Sequence, residues 1–458
     1  MPDMPRRLFG YLSVRDWRTR LIFWSGAVVV GAVAAGFTLA SNRVMALHDE
    51  IMAQSRWWTF LVSPVMLVAV ACLTRYVFPG TQGSGIPQAI AALRSRNESM
   101  RRGVLSLRIA CGKLLLTLLG FVGGASIGRE GPTVHIGASV MYSLGRHTRF
   151  PPHYLRHGLI MAGGAAGIAA AFNTPIAGII FAIEEMARFY EEKATGMLLL
   201  AVIIGGVVAL GVLGNYTYFG VTSATFTQAK DWIAVPLCGV CGGLLGGIYS
   251  QLLVVGMRRL RALAARYWLW IALACGLAIA VVGFLSHGAT YGTGYVQARG
   301  VLNGTAPRNF GFPFYKMFAN LVSYYSGIPG GLFSPSLAAG AGLGADLAPL
   351  VPFAPVATVV VLGMVSYFTG VVQTPLTAAV IVMEMVNDQA MIFPILATAL
   401  IALGVSKIIC REPVYWALAE EFVDSVAAGA QENASAGTSA AARGSASPAG
   451  GAPPLGSA

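Results

Sequence analysis

Fourteen apolar segments follow one another almost without pause: 21–40, 57–78, 105–127, 133–143, 157–171, 175–187, 195–213, 231–255, 267–286, 312–326, 332–349, 355–370, 374–386 and 390–408. A helix that crosses the hydrocarbon core of a bilayer needs about 20 apolar residues. Some of these segments reach that length. Others are too short and are interrupted by Gly and Pro. Such broken backbone is tolerated at membrane depth only where it is buried in protein or lines a polar cavity. The pattern therefore predicts an all-α polytopic membrane protein with broken, tilted helices. Broken helices in turn point to an ion or substrate site near the midplane. Composition agrees: 56% of the 458 residues are hydrophobic and only 11% are charged. Mean hydropathy is +0.67, and that little charge does not cover a soluble surface of this size. The 56 glycines suit closely packed membrane helices.

Basic residues gather between the apolar runs. Arg6, Arg7, Arg15, Arg18 and Arg20 precede the first run. Arg94, Arg96, Arg101 and Arg102 fill the second connection, and Arg258, Arg259 and Arg261 a later one. This positive-inside pattern puts those segments and the N-terminus in the cytoplasm. A net charge of +12 also suits nucleic acid, but no soluble basic domain carries that role, so no nucleic-acid partner is expected. The first run has no cleavage site followed by a soluble domain and reads as a retained helix. The six cysteines fall mostly inside apolar stretches. Cys238 and Cys241 have CxxC spacing without a second pair or nearby His, which reads as packing and not as a metal or redox site. No metal and no cofactor is expected. The six histidines show no HExxH or Ser-His spacing, so an embedded enzyme is disfavoured.

The chain repeats itself. Asn173-Thr174-Pro175 and Gln373-Thr374-Pro375 both open an apolar helix, and Glu184 and Glu384 follow each Thr by ten residues, all at an offset of 200. Gly128-Arg129-Glu130-Gly131-Pro132 and Gly331-Leu332-Phe333-Ser334-Pro335 share G-x-x-x-P at an offset of 203. Two related halves follow, 21–212 and 228–422, joined by a connection at 213–227. Similarity alone does not orient them; inversion is the common case among transporters with broken helices. Residues 1–20 form a cytoplasmic N-terminal segment, and the Ala/Gly/Ser/Pro-rich tail at 423–458 cannot bury a core.

Three glycine-rich stretches, at 83–87, 128–132 and 327–335, surround a Pro that suits a helix's first turn. A helix starting there has free N–H groups and the positive end of its dipole. Glycine lets an ion approach those groups closely. Taken singly, each stretch is as readily a helix break. Three converging in a membrane would bind an anion without a full positive charge, and so weakly enough to release it.

These motifs are similar to those of the CLC family of chloride channels and chloride/proton exchangers. GSGIP at 83–87, GREGP at 128–132, GGLFSP at 330–335 and Tyr415 within Pro413-Val414-Tyr415 stand in the family's order, and the likeness runs from about residue 20 to 422. The resemblance implies a central anion held by the hydroxyls of Ser84 and Tyr415 and by backbone N–H groups of Leu332 and Phe333, with Gly85 and Ile86 in the first loop. N–H groups from Arg129 to Gly131 would serve an outer site. Glu130 matches the gating acid: ionised it occupies an anion's place, protonated it swings away. Glu185 matches the internal proton-transfer acid of the exchangers; read without the family it is an interfacial acid with Arg188 as a partner. Ser84 goes with a preference for chloride, and Tyr415 argues against the fluoride branch. Lys113 matches a basic position near the pore, with snorkelling as the other reading. Gln88 and Ile90 replace two acids of the best-known bacterial exchangers, which bears on internal proton access. His135 reads as a packing residue, and Trp57, Trp58, Trp232, Trp268, Trp270 and Trp416 as interfacial anchors. The resemblance implies a homodimer in the cell (inner) membrane, both termini cytoplasmic, with one pore per subunit; the nucleotide-binding pair that many members carry after the membrane part is not expected, since the tail is too short. The function it implies is chloride/proton antiport, with a passive chloride channel as the alternative.

Overall fold

Pro, Gly and short polar residues punctuate the apolar sequence, and helices begin and end at them. The computed structural model describes residues 14–95, 97–146, 157–187, 192–222, 225–226, 228–305 and 309–424. The helices are α1 (Val14–Gln54), α2 (Thr59–Tyr76), α3 (Ile86–Arg94), α4 (Glu98–Val104), α5 (Leu107–Val122), α6 (Glu130–Arg146), α7 (Leu159–Phe172), α8 (Pro175–Phe181), α9 (Glu192–Leu213), α10 (Ala234–Leu285), α11 (Tyr295–Leu302), α12 (Phe312–Tyr325), α13 (Phe333–Leu347), α14 (Val356–Val372), α15 (Pro375–Val386) and α16 (Ile392–Ile409). A last helix covers 414–424. Strand-like pairing among the described residues is limited to two isolated bridges, Gly83 with Pro329 and Gly128 with Gly331. The expected N-terminal segment to residue 13, Arg188 and nearly all of the tail lie outside the described residues.

Six of the described helical stretches are long and apolar enough to cross a bilayer. The chain is thus a multi-pass membrane protein, as its hydropathy requires. The runs at 231–255 and 267–286 are two helical stretches of α10 that meet at a kink, Tyr267 (φ −117°, ψ 26°), where the second apolar run begins. The Arg, Leu and Ala before the kink interrupt the hydrophobic pattern but are good helix formers, so the first stretch extends to it.

Glycine seams hold the helices together. A Cβ on Gly137 would meet the backbone of Gly163, across α6 and α7, and a Cβ on Gly340 would meet Gly363 O at 2.6 Å, across α13 and α14. These seams follow the same offsets as the sequence repeat. In lipid the gain comes from van der Waals contact between backbones brought close, since transfer of apolar surface drives nothing there.

The repeat also appears in the turns. Asn173 and Gln373 end α7 and α14 in left-handed backbone (φ 57° and 60°), and Pro starts the next helix two residues on. Thr174 and Thr374 give α8 and α15 no side-chain cap. Each helix is capped instead by a glutamate of the other half. Glu384 accepts from Ile176 N (3.2 Å) and Ala177 N (2.7 Å). Glu184 accepts from Leu376 N (3.1 Å), Thr377 N (2.6 Å) and Thr377 Oγ1 (2.7 Å). Two helices that each cap the other's start with a residue near their own end must run antiparallel.

Candidate anion site

Backbone hydrogen bonds bring the three glycine-rich loops to one place. Gly83 N donates to Ile328 O and Gly330 N to Gly83 O, both at 3.3 Å. Gly128 and Gly331 exchange a pair of N–H to O bonds at 2.7 Å each. The loop before α3 and the loop before α6 are therefore both tied to the loop before α13. Gly85, with φ 105°, lies so close to Gly131 that a Cβ on it would meet Gly131 O at 2.6 Å. Only glycine suits both that dihedral and that approach. The starts of α3, α6 and α13 consequently converge, each with first-turn N–H groups that lack an intrahelical acceptor.

At this junction Ser84 and Tyr415 are fully buried. Their side chains lie beside one another, yet neither Ser84 Oγ nor Tyr415 Oη has a partner of good hydrogen-bond geometry. Buried hydroxyls are normally satisfied, so a pair of them at converging helix starts marks a place for a polar guest. Leu332 and Phe333 open α13, and the Phe333 ring is wedged against Phe368 (4.2 Å) and Phe172 (5.2 Å). Ile86 opens α3 and is completely buried.

Glu130 is also fully buried. Its Oε1 accepts a hydrogen bond from the hydroxyl of Ser334, and the backbone N–H groups of Glu130 and Ser334 face the same carboxylate. It sits, then, where the first turns of α6 and α13 would receive an anion. Arg129 beside it donates to Asn42 Oδ1 (2.9 Å) and to Tyr218 Oη (3.4 Å), and its guanidinium lies over the Tyr218 ring at 5.6 Å.

Glu185 lies in a π-helical turn, Ala182–Ala187, that continues α8, and is 1% exposed. Such turns recur at functional sites because they re-aim side chains within a helix. Trp416 Nε1 donates to Glu185 O at 2.9 Å, and the neighbouring Tyr415 is within electrostatic reach of both Glu185 and Glu130. Both acids thus lie within reach of Tyr415. Trp416 is a strut for this turn and not a free anchor. Trp57, Trp58, Trp232 and Trp270 are exposed, and Trp268 packs under Arg75.

Lys113 does not snorkel. It is fully buried and donates to Gln82 O (3.4 Å) and Gly83 O (3.1 Å) beneath the Ser84 loop. Gln88 braces the same loop through Nε2 to Gln82 O (2.6 Å), Ile90 is in the apolar core, and His135 bonds Val104 O at 3.1 Å. A cavity of about 420 Å³ reaches this loop at Gln82, Gly83 and Gln88, with Arg75, Arg261 and Glu421 among its lining. A second buried lysine, Lys316, donates to Thr290 O (2.9 Å) and Gly292 O (2.8 Å). It lies 203 residues after Lys113, the offset already relating the loops, and that offset was the signal available for it in the sequence. Ser334 lay within the repeated G-x-x-x-P motif, but nothing in it pointed to Glu130; Tyr218 had no such signal. No cluster of His, Cys, Asp and Glu suited to a metal exists among the described residues.

Broken helices whose starts meet at a buried polar centre, inside a multi-pass bundle, define a membrane transport protein of the two-halved, all-α kind. The family model described as "Voltage gated chloride channel" matches residues 65–407, and the chain belongs to that family, the CLC proteins. Among solved structures it is similar to a slow cyanobacterial Cl-/H+ antiporter, at 25% identity and a TM-score of 0.77 over 88% of this chain and 97% of that one. It also shares its fold with a CLC-type fluoride/proton antiporter (22% identity, TM-score 0.73, 87% and 96% covered). A eukaryotic CLC transporter gives 22% identity and a TM-score of 0.71 over 88% of this chain and 74% of that one.

Proposed function

We propose that this protein exchanges chloride for protons across the cell membrane, with Glu130 as the gating acid and Glu185 as the internal proton-transfer acid. The observation that carries the reading is the seat of the Glu130 carboxylate, bonded by Ser334 at the joined starts of α6 and α13. A carboxylate in an anion's place excludes the anion while ionised. Once protonated it loses its attraction to the N–H groups and can leave. Chloride and proton occupancy are then linked at one side chain. Ser84 and Tyr415 offer the central anion two unsatisfied hydroxyls, and Leu332, Phe333, Gly85 and Ile86 offer it backbone. Arg129 and Gly131 frame the outer site.

Exchange is favoured over passive conduction by Glu185, buried beside Tyr415. An acid at that depth is costly, and acids kept there mark ion pathways and proton relays. Chloride is favoured over fluoride because both hydroxyls meet at the centre. We assign the halves to 21–212 and 228–422, with basic connections and both termini cytoplasmic, and two copies to the working unit. Glu130→Ala in liposomes under an imposed chloride gradient should leave chloride flux and abolish coupled proton movement. Proton-coupled transport that survives the change would overturn the assignment.

A further inference from the structure

Glu130 must reach the outer solution to exchange its proton, yet in this conformation it is completely buried. Tyr218, in the connection at 214–222, lies beside it. α9 has 22 residues and so rises about 33 Å, enough to recross the bilayer from the side of Glu185. Glu185 is linked through Trp416 to Arg94, whose guanidinium lies 4.9 Å from the Trp416 ring. That is the side of the basic connections, which makes 214–222 the opposite, outer face.

Tyr218 of this connection is 1% exposed although it belongs to no helix. Its ring packs edge-on against Phe219 (4.8 Å), Tyr295 (4.9 Å) and Phe172 (5.1 Å). Its hydroxyl accepts from Arg129 and lies beside Ser334 and Glu130. The ring also covers the guanidinium face of Arg129, so an arriving anion meets an aromatic face instead of a charge. Hydrogen bonds hold the segment at its edges: Phe219 N to Met385 O (2.9 Å), Thr222 N to Val386 O (3.2 Å), Thr222 Oγ1 to Asp388 Oδ2 (3.1 Å) and Asn173 Nδ2 to Tyr216 O (2.9 Å). Gly214 (φ 81°) and Gly220 (φ 99°) bracket it, and such residues absorb the dihedral changes of a hinge.

We infer that Tyr218 is an outer gate: chloride enters or leaves the Glu130 site only when this ring withdraws, which uncovers the Arg129 charge and frees the space into which the protonated Glu130 swings. The inference rests on the transport reading above. It adds a second, aromatic barrier in series with the acid. The ring is the barrier, so its volume sets the rate, and because the phenol carries no transported proton the coupling ratio is independent of it.

The test is chloride and proton flux from liposomes holding the full-length wild type, Tyr218→Ala and Tyr218→Trp. The smaller side chain should raise chloride turnover several-fold and the larger should lower it several-fold, both with the wild-type proton-to-chloride ratio. Damage to the scaffold would slow both variants, and an idle tyrosine would leave both unchanged; either result overturns the gate. A wild type that moves chloride without protons would instead strike the exchange mechanism, since the gate is read from chloride flux alone.

Discussion

Ser84 Oγ and Tyr415 Oη are buried polar atoms at the centre that no hydrogen bond of good geometry satisfies. A hydroxyl donating to an ion contributes about 1.5–3 kcal/mol net, roughly ten- to a hundredfold in affinity. Ser84→Ala and Tyr415→Phe should each weaken chloride binding by about that factor in calorimetric titration of the detergent-solubilised protein. Both should leave its unfolding temperature near the wild type, because neither hydroxyl has a hydrogen bond of good geometry within the fold. Lys113 and Lys316 act differently. Each spends its hydrogen bonds on loop carbonyls and so braces a loop without offering a contact to the ion. An anion held by amides and hydroxyls binds and still leaves.

At the scale of elements, α8 and α15 are where the two halves cap one another. Each is short, starts at a Pro, and has its first N–H groups satisfied by a carboxylate from the other. Losing a helix-start acceptor costs about 1–2 kcal/mol. Glu184→Ala and Glu384→Ala should each lower thermal stability in detergent, with Glu184→Gln intermediate because one acceptor oxygen remains. Glu184 adjoins Glu185, and α15 ends at Met385 and Val386, whose carbonyls hold the outer connection. One helix therefore runs from the inner acid's neighbour to the outer connection beside Glu130, so Glu184→Ala should also change the proton-to-chloride ratio while Glu384→Ala should affect it less. Equal ratios in the two variants, measured by paired flux, would remove this link.

For the whole molecule, the outward face of α8, α9, α15 and α16 is apolar. Ile176 and Leu376, equivalent under the repeat, are 53% and 52% exposed, and Ile203, Val207 and Leu400 are exposed beside them. Such a face suits lipid or a second copy. Light scattering in detergent should give twice the chain mass of 47.9 kDa. Because the anion site is closed within one subunit, a dimer carrying Glu130→Ala in one copy should keep proton coupling in the other. A monomer, or coupling lost in the mixed dimer, would contradict this assembly.

Hydropathy alone decided that the chain lies in a membrane and is helical, since a bilayer admits no other use for fourteen apolar segments in sequence. Gly-Pro breaks marked where helices begin, and the offsets of 200 and 203 marked two related halves. Those signals are local, or repeat at fixed spacing, and so survive in one dimension. Ser84, Glu130, Leu332 and Tyr415 could be singled out because they stand in such motifs. What the tertiary structure alone decided is which starts meet and what covers them. Ser334 reaches Glu130 across 204 residues, Glu184 caps a helix 193 residues away, and Tyr218 sits in a connector with no periodicity to betray it. Those relations depend on how helices pack against one another, and packing leaves no pattern in the order of residues along a chain.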